Sequence, residues 1–490
     1  MDISKLKLIT LTLAIFAGVS SVAIAQVGIG TVNPEVSSML DISSTDKGML
    51  APRMTSVQRI AISSPANGLL VYDTTENAFY FYKSSVWSKI DSAKRSMHKL
   101  IQSEADLAAE LIAGGGSTYL LSSDTMYEIN GTIALLHPID LNNAYIVGFD
   151  TNEDVLSKAG GTMFVGSTGG SIKGISLTAP GGTIFALSGA NTQNLIFRDA
   201  VVYGSGSIGT VSGFGLAFVS IVQFVGNGAG IIYNNITNLL LSNMGWLSSN
   251  SGTYETFTGT FNIIQKQGGF SEVNGSAIGI DVSSNPAVSN GVLTGVSFSG
   301  TSTQYIKRYG TGSYAGFNFN NAWTVDCPGI PVESDQVATG NIYYDGTITT
   351  GFVQNITDNN PLNLTGNSGS NSTTAVNLLR MSSSTDNRLT YLGKKTRTFQ
   401  ISASLSVRGN TTTGNFYGFF IRKNGVTVTG TTLVETNSLM RVNNTSDINS
   451  LSISGTVELS PNDYIEIWGQ RLTSSGTTSI TVFSLNLNIK

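Results

Sequence analysis

The stretch TQNLIFRDAVVYGSG, residues 192–206, decides how the centre of this chain folds. A short apolar run is followed at once by the charged pair Arg198-Asp199 and then by glycines. A matching stretch, NLLLSN, begins at Asn238, which is 44 residues after Asn194. This spacing fits two coils of 22 residues each. The pattern predicts a solenoid, whose coils bury their apolar faces only when they stack on their neighbours.

Similar short apolar runs lie on both sides of this stretch, and they begin 15 to 26 residues apart. Parallel strands with neighbours above and below give such runs, whereas a β-sandwich, the second interpretation, gives cleaner alternation and hairpin turns. We therefore predict an all-β chain with a right-handed parallel β-helix, resembling that of the pectate lyases, over residues 117–340. The runs are IKGISL (172–177), NLIFRD (194–199), SIVQFV (220–225), NLLLSN (238–243), FNIIQ (261–265), SAIGIDV (276–282) and GVLTGVSF (291–298).

The pair Arg198-Asp199 is either the edge of a catalytic groove or a polar corner of the repeat. Glycoside hydrolysis needs two carboxylates that flank the scissile bond, and a lyase needs a base beside a charge-stabilising group. The equivalent residues 44 positions later are Ser242 and Asn243, so this corner accepts polar residues in general. We interpret the pair as structural and predict no catalytic residue. A shaft that cleaves polysaccharide stays as an alternative, because a groove between three chains would escape this test.

Composition limits the classes of function. Only 12% of the 490 residues are charged, and 55 are Gly. The net charge of −4 lacks the excess of basic residues that is typical of nucleic-acid-binding proteins. Cys327 is the only cysteine, and His98 and His137 are the only histidines. A disulfide framework within the chain and a Cys/His zinc cluster are therefore excluded, and no cofactor or metal is expected.

Residues 1–25 have the pattern of an export signal. Lys5 and Lys7 precede an apolar stretch, and Ala23-Ile24-Ala25 forms an A-x-A cleavage site. An uncut membrane anchor is the alternative, and it would be the chain's only contact with a membrane. We expect cleavage and an exported protein, located on a virion surface or at the outside of a cell.

Residues 26–92 resemble a leader module of secreted and surface proteins of Bacteroidetes and of tail-fibre-like proteins of their phages. The resemblance implies an attachment module and says little about activity. Within it, LLVYDTTENAFYFYKSSVW predicts two strands joined by a turn at Thr75-Glu76-Asn77. The matching segments are Gly28-Ile29-Gly30-Thr31, Leu40-Asp41, Lys47-Gly48, Pro52-Arg53-Met54-Thr55, Arg59, Pro65, Gly68-Leu69, Tyr72, Phe79-Tyr80-Phe81-Tyr82 and Trp87.

Residues 93–116 are the one clear helix candidate of the chain. Their apolar residues approximate one stripe of a helix, which ends at three glycines. This segment resembles the short helix that caps the open end of a parallel β-helix. Such a cap is needed because the first coil otherwise exposes an unpaired sheet edge. The stripe consists of Met97, Leu100, Ile101, Leu107, Leu111 and Ile112.

Residues 341–371 are rich in Asn, Gly, Ser and Thr and are predicted to be a linker. Residues 372–490 then show alternating strands, with a hairpin signal at Asn424-Gly425. The segments YGFFIRKNGV, SISGTVELSPNDYIEIWG and TTSITVFSLNLNI resemble the jelly-roll β-sandwich head of the C1q/TNF-like superfamily. Such heads are usually trimers, so the resemblance implies a homotrimer.

Recognition is expected on the exposed loops of this head. The candidate binding residues can stack on a sugar or hydrogen-bond to it, although each can equally serve packing or subunit contacts. The sequence thus predicts a trimeric fibre or spike that binds a glycan or receptor on a bacterial surface and is not an enzyme. An exported adhesin and a polysaccharide lyase or hydrolase are the alternatives. The candidates are Tyr391, Tyr417, Arg422, Arg441, Trp468 and Arg471.

Overall fold

The structure is a computed structural model that describes residues 3, 26–90, 97–366, 369–411, 414–426, 430–473 and 476–490. The predicted export signal lies outside these residues, apart from residue 3. The chain divides into two compact units, Met1–Ser96 and Met97–Lys490. The second unit contains a shaft of stacked coils and a head of antiparallel strands, so the chain is all-β.

The first unit contains a parallel strand pair, β1 and β2, and a four-stranded sheet in the order β3-β4-β5-β6. Helix α1 (Ser56–Ile60) begins at a capping box formed by Thr55 and Gln58. Strands β4 and β5 form an antiparallel hairpin across residues 74–77, which confirms the predicted turn. The strands are β1 (Val27–Ile29), β2 (Leu40–Ile42), β3 (Arg53–Met54), β4 (Leu70–Asp73), β5 (Ala78–Lys83) and β6 (Val86–Lys89).

A buried ion pair joins α1 to this sheet. Arg59 Nε lies 2.8 Å from Asp73 Oδ2, and Ser56 Oγ donates to the same oxygen. The backbone N–H groups of Thr75 and Glu76 donate to the other oxygen. Burial alone would raise the pKa of Asp73, but the hydrogen bonds from Arg59, Ser56 and the two amides lower it to about 2.

The shaft is a parallel β-helix of about nine turns, which confirms the predicted solenoid. Its strands are β7 (His98–Ile101), β8 (Tyr119–Leu120), β9 (Met126–Ile129), β10 (Thr132–Ala134), β11 (Ile139–Asp140), β12 (Tyr145–Val147), β13 (Val155–Ser157), β14 (Thr162–Gly166), β15 (Gly170–Lys173), β16 (Ser176–Thr178), β17 (Thr183–Ser188), β18 (Asn194–Tyr203), β19 (Ser207–Ser212), β20 (Leu216–Val225), β21 (Ile231–Asn234), β22 (Asn238–Trp246), β23 (Thr253–Thr258), β24 (Thr260–Glu272), β25 (Ile278–Asp281), β26 (Ala287–Thr294), β27 (Ser297–Ser299), β28 (Ile306–Lys307) and β29 (Trp323–Asp326).

These strands form two parallel sheets. The first shaft sheet runs in the order β29-β26-β24-β22-β20-β18-β15-β12-β9-β7, with β10, β13, β16 and β27 attached to it. The second shaft sheet runs in the order β28-β25-β23-β21-β19-β17-β14-β11-β8. Neighbours within a sheet come from successive coils, so each coil contributes a strand to both sheets and encloses one apolar interior.

The register confirms the repeat that the sequence indicates. Asn194 pairs with Leu216, and Leu216 pairs with Asn238, so the 44-residue spacing is two coils of 22 residues. In the same way Arg198 pairs with Ser220. Equivalent residues of neighbouring coils therefore form columns that run along the shaft.

The next residue in each of these coils is a left-handed corner. Asp199, Ile221 and Asn243 have φ values of 52°, 54° and 49°. Gly174 and Gly268 occupy the same corner in the coils before and after them, with φ values of 69° and 66°. Glycine adopts this conformation freely and Asn or Asp tolerates it. Asp199 is therefore a structural corner, as the sequence predicts.

The interior of the shaft contains one fully buried ion pair. Lys266 Nζ on β24 lies 3.0 Å from Glu255 Oε1 on β23, and both side chains are at most 2% exposed. Burial raises the pKa of Glu255, and the nearby ammonium group of Lys266 opposes that rise. Because β23 belongs to the second sheet and β24 to the first, this pair links the two sheets inside one coil.

The start of the shaft differs from the capping helix predicted for residues 93–116. Residues 93–96 lie outside the described residues, and β7 follows them as a strand in parallel with β9. Only then come a 3₁₀ turn (Glu104–Leu107) and a short helix, α2 (Ala108–Ala113). Ile101 and Leu107 are buried, whereas Ile112 is 80% exposed. The predicted stripe combined strand residues with helix residues, because short apolar runs fit both periods.

The head is a sandwich of two antiparallel sheets around one apolar core. One sheet has the order β33-β30-β42-β36-β40, with β31 beside β42. The other has the order β34-β35-β41-β37-β38, with β32 beside β41 and β39 beside β37. The strands are β30 (Thr339–Asp345), β31 (Phe352–Thr357), β32 (Leu362–Asn363), β33 (Thr374–Leu379), β34 (Met381–Ser382), β35 (Leu389–Tyr391), β36 (Arg397–Gly409), β37 (Phe416–Lys423), β38 (Thr431–Thr432), β39 (Ser438–Arg441), β40 (Asn449–Leu459), β41 (Tyr464–Arg471) and β42 (Thr477–Ile489).

The prediction that residues 341–371 form a linker is wrong, because most of this segment belongs to the head. Strands β30 and β31 both pair with β42, the last strand of the chain. In β31, Phe352, Gln354 and Ile356 are buried, and the residues that alternate with them are exposed. The many Asn, Gly and Thr residues suggested a loop, but most of them form the turns between short strands, and Asn355 and Thr357 occupy the solvent side of β31.

Arg380 joins the head to the end of the shaft. Its buried guanidinium group donates to the carbonyl oxygens of Asn321, Trp323 and Glu333, and it lies 3.4 Å from Asp335. Three carbonyl acceptors and one carboxylate satisfy most of the five donors of an arginine. The hydrogen bonds of this one buried side chain thus connect the head to the end of the shaft.

Candidate functional site

A shallow groove of about 530 Å³ crosses the outside of the second shaft sheet. We call it the hydroxyl groove. Strands β14, β17, β19, β21 and β23 supply its walls, one strand per coil. One row of lining residues consists of Thr162, Thr183, Ser207 and Thr253, and the other of Ala186, Thr210, Ile232 and Thr256.

Glycines keep the floor of this groove open. A Cβ atom on Gly209 would lie 2.0 Å from the carbonyl oxygen of Phe185, and φ of Gly209 is +102°. A Cβ atom on Gly230 would lie 1.9 Å from the carbonyl oxygen of Tyr254. Both positions therefore require glycine, and backbone groups come close to the floor of the groove.

The chemistry of the groove is uncharged. Its lining consists of hydroxyl groups, backbone amides and aliphatic side chains, and neither a carboxylate nor a cation is among the described residues that line it. Neighbouring strands are ~4.8 Å apart, so the hydroxyls of Thr162, Thr183 and Ser207 recur at that repeat over three coils. In the other row, hydroxyls and aliphatic side chains alternate. This lining fits a neutral, extended ligand with many hydroxyl groups better than a charged one.

The sequence reasoning missed this groove. Thr183 and Ser207 are direct register partners on neighbouring coils, as Thr210 and Ile232 are. The signal was present as Ser and Thr recurring at the coil repeat, but such residues also fill turns, and only the register separates the two cases.

A second pocket, of about 410 Å³, lies on the outside of the first shaft sheet. Tyr145 is its aromatic member and is 59% exposed. The side chains of Asn143, Gln193 and Asn194 surround it, together with Ile196. An exposed ring beside amides can stack on a sugar and hydrogen-bond to it, and it can equally pack against another protein surface.

Carboxylates of the shaft serve its structure. Asp154 accepts hydrogen bonds from the backbone N–H groups of Gly131, Phe149 and Asp150 at 2.7–3.0 Å. Because three amides bind its charged form, the pKa of Asp154 is lowered, although burial alone would raise it. In the described strands of the shaft, no carboxylate is in direct register with another.

Two other acids have equally local partners. Asp281 accepts from Ser283 and lies 3.0 Å from Lys307 Nζ. Glu333 accepts from the backbone N–H groups of Asn318 and Phe319. These contacts close turns and coil ends, so both acids hold the local structure of the shaft.

Four of the six head residues proposed from the sequence are buried, namely Tyr391, Tyr417, Arg471 and Trp468. Tyr391 donates to the carbonyl oxygen of Lys395, and the hydroxyls of Tyr417 and Thr478 share a hydrogen bond. Arg471 is 3% exposed and donates to the carbonyl oxygen of Gly476. Both tyrosine hydroxyls and the two terminal nitrogens of Arg471 bond inside the chain, whereas Arg471 Nε is buried without a hydrogen-bond partner. These side chains therefore serve packing in the structure.

Trp468 is buried against an arginine, and Arg422 and Arg441 are the more accessible candidates. Trp468 is 6% exposed and donates through Nε1 to Glu466, and the guanidinium carbon of Arg422 lies 5.0 Å from the centre of its ring. Arg441 is exposed and lies 5.7 Å from the ring centre of Phe416. The structure thus brings Arg422 and Trp468 together, and it leaves Arg441 as the most accessible of the six.

Two searches of the described residues have negative results. No cluster of three or more His, Cys, Asp or Glu side chains in them could hold a metal ion. Each helix in that part of the chain is too short or too polar to span a membrane.

A family of known proteins matches the start of the chain. The family described as "Phage tail like trimerisation region" matches residues 28–104. The match covers the first unit from Gly28 onward and extends through β7, the first strand of the shaft. A comparison with curated proteins finds no match.

Solved structures give distant likenesses. The tailspike protein 4 enzymatically active domain of bacteriophage CBA120 is 10% identical, with 90% of this chain and 77% of that chain covered and a TM-score of 0.20. The tailspike protein of Acinetobacter baumannii phage AM24 is 9% identical, with coverages of 89% and 93% and a TM-score of 0.16. The Eiger TNF structure from S. frugiperda is 11% identical, with coverages of 31% and 92% and a TM-score of 0.22.

Proposed function

We propose that this chain is a trimeric fibre- or spike-type attachment protein of a phage tail, which binds a glycan on a bacterial surface without cleaving it. The observation that carries the proposal is the match of residues 28–104 to a phage tail-like trimerisation region, directly ahead of a long parallel β-helix. A protein of this kind acts on the virion surface, and its host would belong to the Bacteroidetes that the leader module resembles.

The hydroxyl groove is the proposed glycan site. Its uncharged lining offers donors and acceptors at the coil repeat, and a linear sugar chain can follow it along the shaft. Arg441, and Arg422 beside Trp468, are a second proposed contact on the head. The absence of cleavage is supported by the structural roles of Asp154, Asp281 and Glu333, which bind backbone or neighbouring side chains.

The head is proposed to be a jelly roll of the C1q/TNF type. With β30, β35, β36, β37, β39, β40, β41 and β42 lettered A to H, the two sheets have the orders A-H-C-F and B-G-D-E. Neighbours in each sheet come from distant parts of the chain, as the two Greek keys of a jelly roll require. This order supports trimeric association of the head as well.

A second candidate is an exported adhesin on the surface of a bacterium. The export signal predicted from Lys5, Lys7 and Ala23-Ile24-Ala25 favours it, because virion proteins normally assemble in the cytoplasm. The two candidates share the glycan-binding shaft and differ in location. Antibody against the protein would label uninfected cells if it is an adhesin, and only virions or infected cells if it is a tail protein.

The first experiment uses the purified full chain with surface polysaccharide and whole cells of a candidate host. Size-exclusion chromatography follows the length of the polymer, and sedimentation with cells measures retention of the protein. Intact polymer with protein retained on the cells is expected. Shortened polymer would overturn the non-cleaving function, and intact polymer without retention would overturn the glycan ligand.

Variants then test the groove. The double variant Thr210→Trp with Thr256→Trp fills the hydroxyl groove with two rings and should reduce retention at least tenfold. Thr311→Trp is the matched control, because this threonine is exposed and lies outside the groove. Undiminished retention of the groove variant would move the site elsewhere, and Arg441→Ala would be measured next.

A further inference from the structure

We infer that the outside of the first shaft sheet packs against other copies of this chain. The inference rests on the proposed trimer, and it assigns one specific face to the contact between subunits. The face is a column of outward side chains that we call the apolar outer face. Its members are Met126, Tyr145, Ile196, Phe218, Leu240 and Val292.

The register places these residues in one line along the shaft. Ile196 pairs with Phe218, and Phe218 pairs with Leu240. Met126 pairs with Tyr145 near the N-terminal end of the shaft. Toward the other end, Leu240 pairs with Gln265, which pairs with Val292. Only two positions of the column between Met126 and Val292, Ser171 and Gln265, are polar.

These side chains point away from the interior. In β18 and β20, the next residues along the chain, Phe197 and Val219, are at most 3% exposed and face the core. Because side chains alternate across a strand, Ile196 and Phe218 face outward. They are half-buried, whereas Tyr145 is 59% exposed.

The centre of this face is uncharged. The adjoining column on one side is also uncharged and alternates asparagines with two apolar residues, Leu216 and Ile263. Charged groups appear in the column on the other side, toward the left-handed corner, where Lys173 pairs with Arg198. Depletion of charge at the centre with polar groups at the border is the composition of a protein interface.

Physical considerations favour a protein partner. A contiguous apolar patch on a folded protein marks an interaction surface. The hydroxyl groove on the other sheet has no such patch. A polar glycan would leave the aliphatic side chains of Ile196 and Leu240 without matching contacts.

Continuity with the trimerisation region identifies the partner as identical copies. The matched region ends at residue 104 and therefore contains β7. Strand β7 is the first strand of the same sheet, and its His98 is the register partner of Met126 in the column. Three chains that associate through residues 28–104 bring their apolar outer faces together at its first strand. An uncharged column can meet its symmetry copies without repulsion between like charges.

The test measures protection of single thiols in the native full chain. Phe218→Cys and Leu240→Cys report on the apolar outer face, and Thr210→Cys and Thr256→Cys are matched controls that are also half-buried but lie on the second sheet. Cys327 is 3% exposed and gives a low background. Maleimide labelling is expected to be at least tenfold slower at residues 218 and 240 than at the controls.

The outcomes separate the inference from the proposed function, with light scattering giving the mass of each sample. A trimer whose Phe218→Cys and Leu240→Cys variants label as fast as the controls overturns the face and leaves the trimer standing. A monomer overturns both. Protection that appears only after host polysaccharide is added identifies a glycan as the occupant and overturns the inference. A second variant, Phe218→Lys with Leu240→Lys, should raise at least tenfold the protein concentration at which the trimer dissociates. Thr210→Lys with Ile232→Lys should leave that concentration unchanged.

Discussion

The two outer faces of the shaft differ although the same coils build them. On the second sheet the outward residues around Thr210 and Thr256 are mostly hydroxyl-bearing or small, with Ile232 between these two, and they form an uncharged groove. On the first sheet the outward column contains Ile196, Phe218 and Leu240. Every coil contributes to both faces, so the difference arises from the choice of outward residue alone.

This comparison separates the requirements of folding from those of contact. The inward residues are of one kind on both sheets, for example Phe185 and Ile231 on the second and Phe197 and Val219 on the first. Stacking of coils needs these residues to be apolar and places little demand on the outward ones. An outward apolar column or an outward hydroxyl groove therefore reflects what each face touches.

The largest effect is expected from Glu255→Ala, which strikes the interior that both faces share. The substitution leaves Lys266 charged and unpaired at 1% exposure, and breaking a buried pair in this way costs about 3–5 kcal/mol. Both faces should be lost together in a single unfolding transition. Denaturant melts of the full chain measure this transition.

The control for this prediction replaces both partners. Glu255→Leu with Lys266→Met removes the charges and keeps the volume, so it should be close to neutral. Lys307→Ala removes the exposed partner of Asp281 on the same sheet and should cost no more than about 1 kcal/mol. A Glu255→Ala protein as stable as the unchanged chain would show that the pair contributes nothing to joining the sheets.

The coil repeat could be predicted from the sequence because it is local. Asn194 and Asn238 mark the same position two coils apart, and the left-handed corner at Asp199 follows from its match to Asn243. A 22-residue period repeats in sequence as it does in space, so one strong match fixes the register of several coils.

The site and the chain boundaries were less accessible to sequence reasoning. The segment containing Phe352 and Ile356 was predicted as a linker because its partner, β42, lies more than a hundred residues away in sequence. Tyr391 and Tyr417 are as suitable for sugar stacking as for packing, and only the burial of their rings distinguishes the two. The hydroxyl groove depends on register between coils, which composition does not reveal.

A smaller effect is expected at the corner that borders the apolar outer face. Ile221 has a φ of 54° and is 52% exposed, so a β-branched residue occupies a left-handed corner with little burial in return. Ile221→Asn should stabilise the chain by about 1 kcal/mol, since Asn tolerates this conformation and isoleucine does not. The reciprocal change Asn243→Ile, one coil later, should destabilise it by a similar amount.

Denaturant melts measure both corner variants, and light scattering follows the assembly. A lower stability of Ile221→Asn would mean that Ile221 is covered in the assembled protein. The apolar outer face would then extend around the corner, and the boundary between the contact face and the free surface would move with it.

The smallest and most local effect is expected on acidification. The pKa of Asp73 is lowered to about 2 in the folded first unit, below the ordinary value of about 3.9 for an unfolded chain. Stability contributed by this group is therefore fully present above about pH 4 and is lost as the pH falls toward 2. Asp73→Asn should melt earlier at pH 5 and should lose less between pH 4 and pH 2 than the unchanged chain.

This acid window also tests the comparison between the faces. If the apolar outer face holds subunits together by itself, the trimer mass should persist at pH 3 while the first unit weakens, because the column from Ile196 to Leu240 has no titrating group. Dissociation at pH 3 in step with the loss of the first unit would show that residues 28–104 alone maintain the assembly. Thiol protection at Phe218→Cys, measured at the same pH, distinguishes separated shafts from shafts that remain in contact after the first unit has melted.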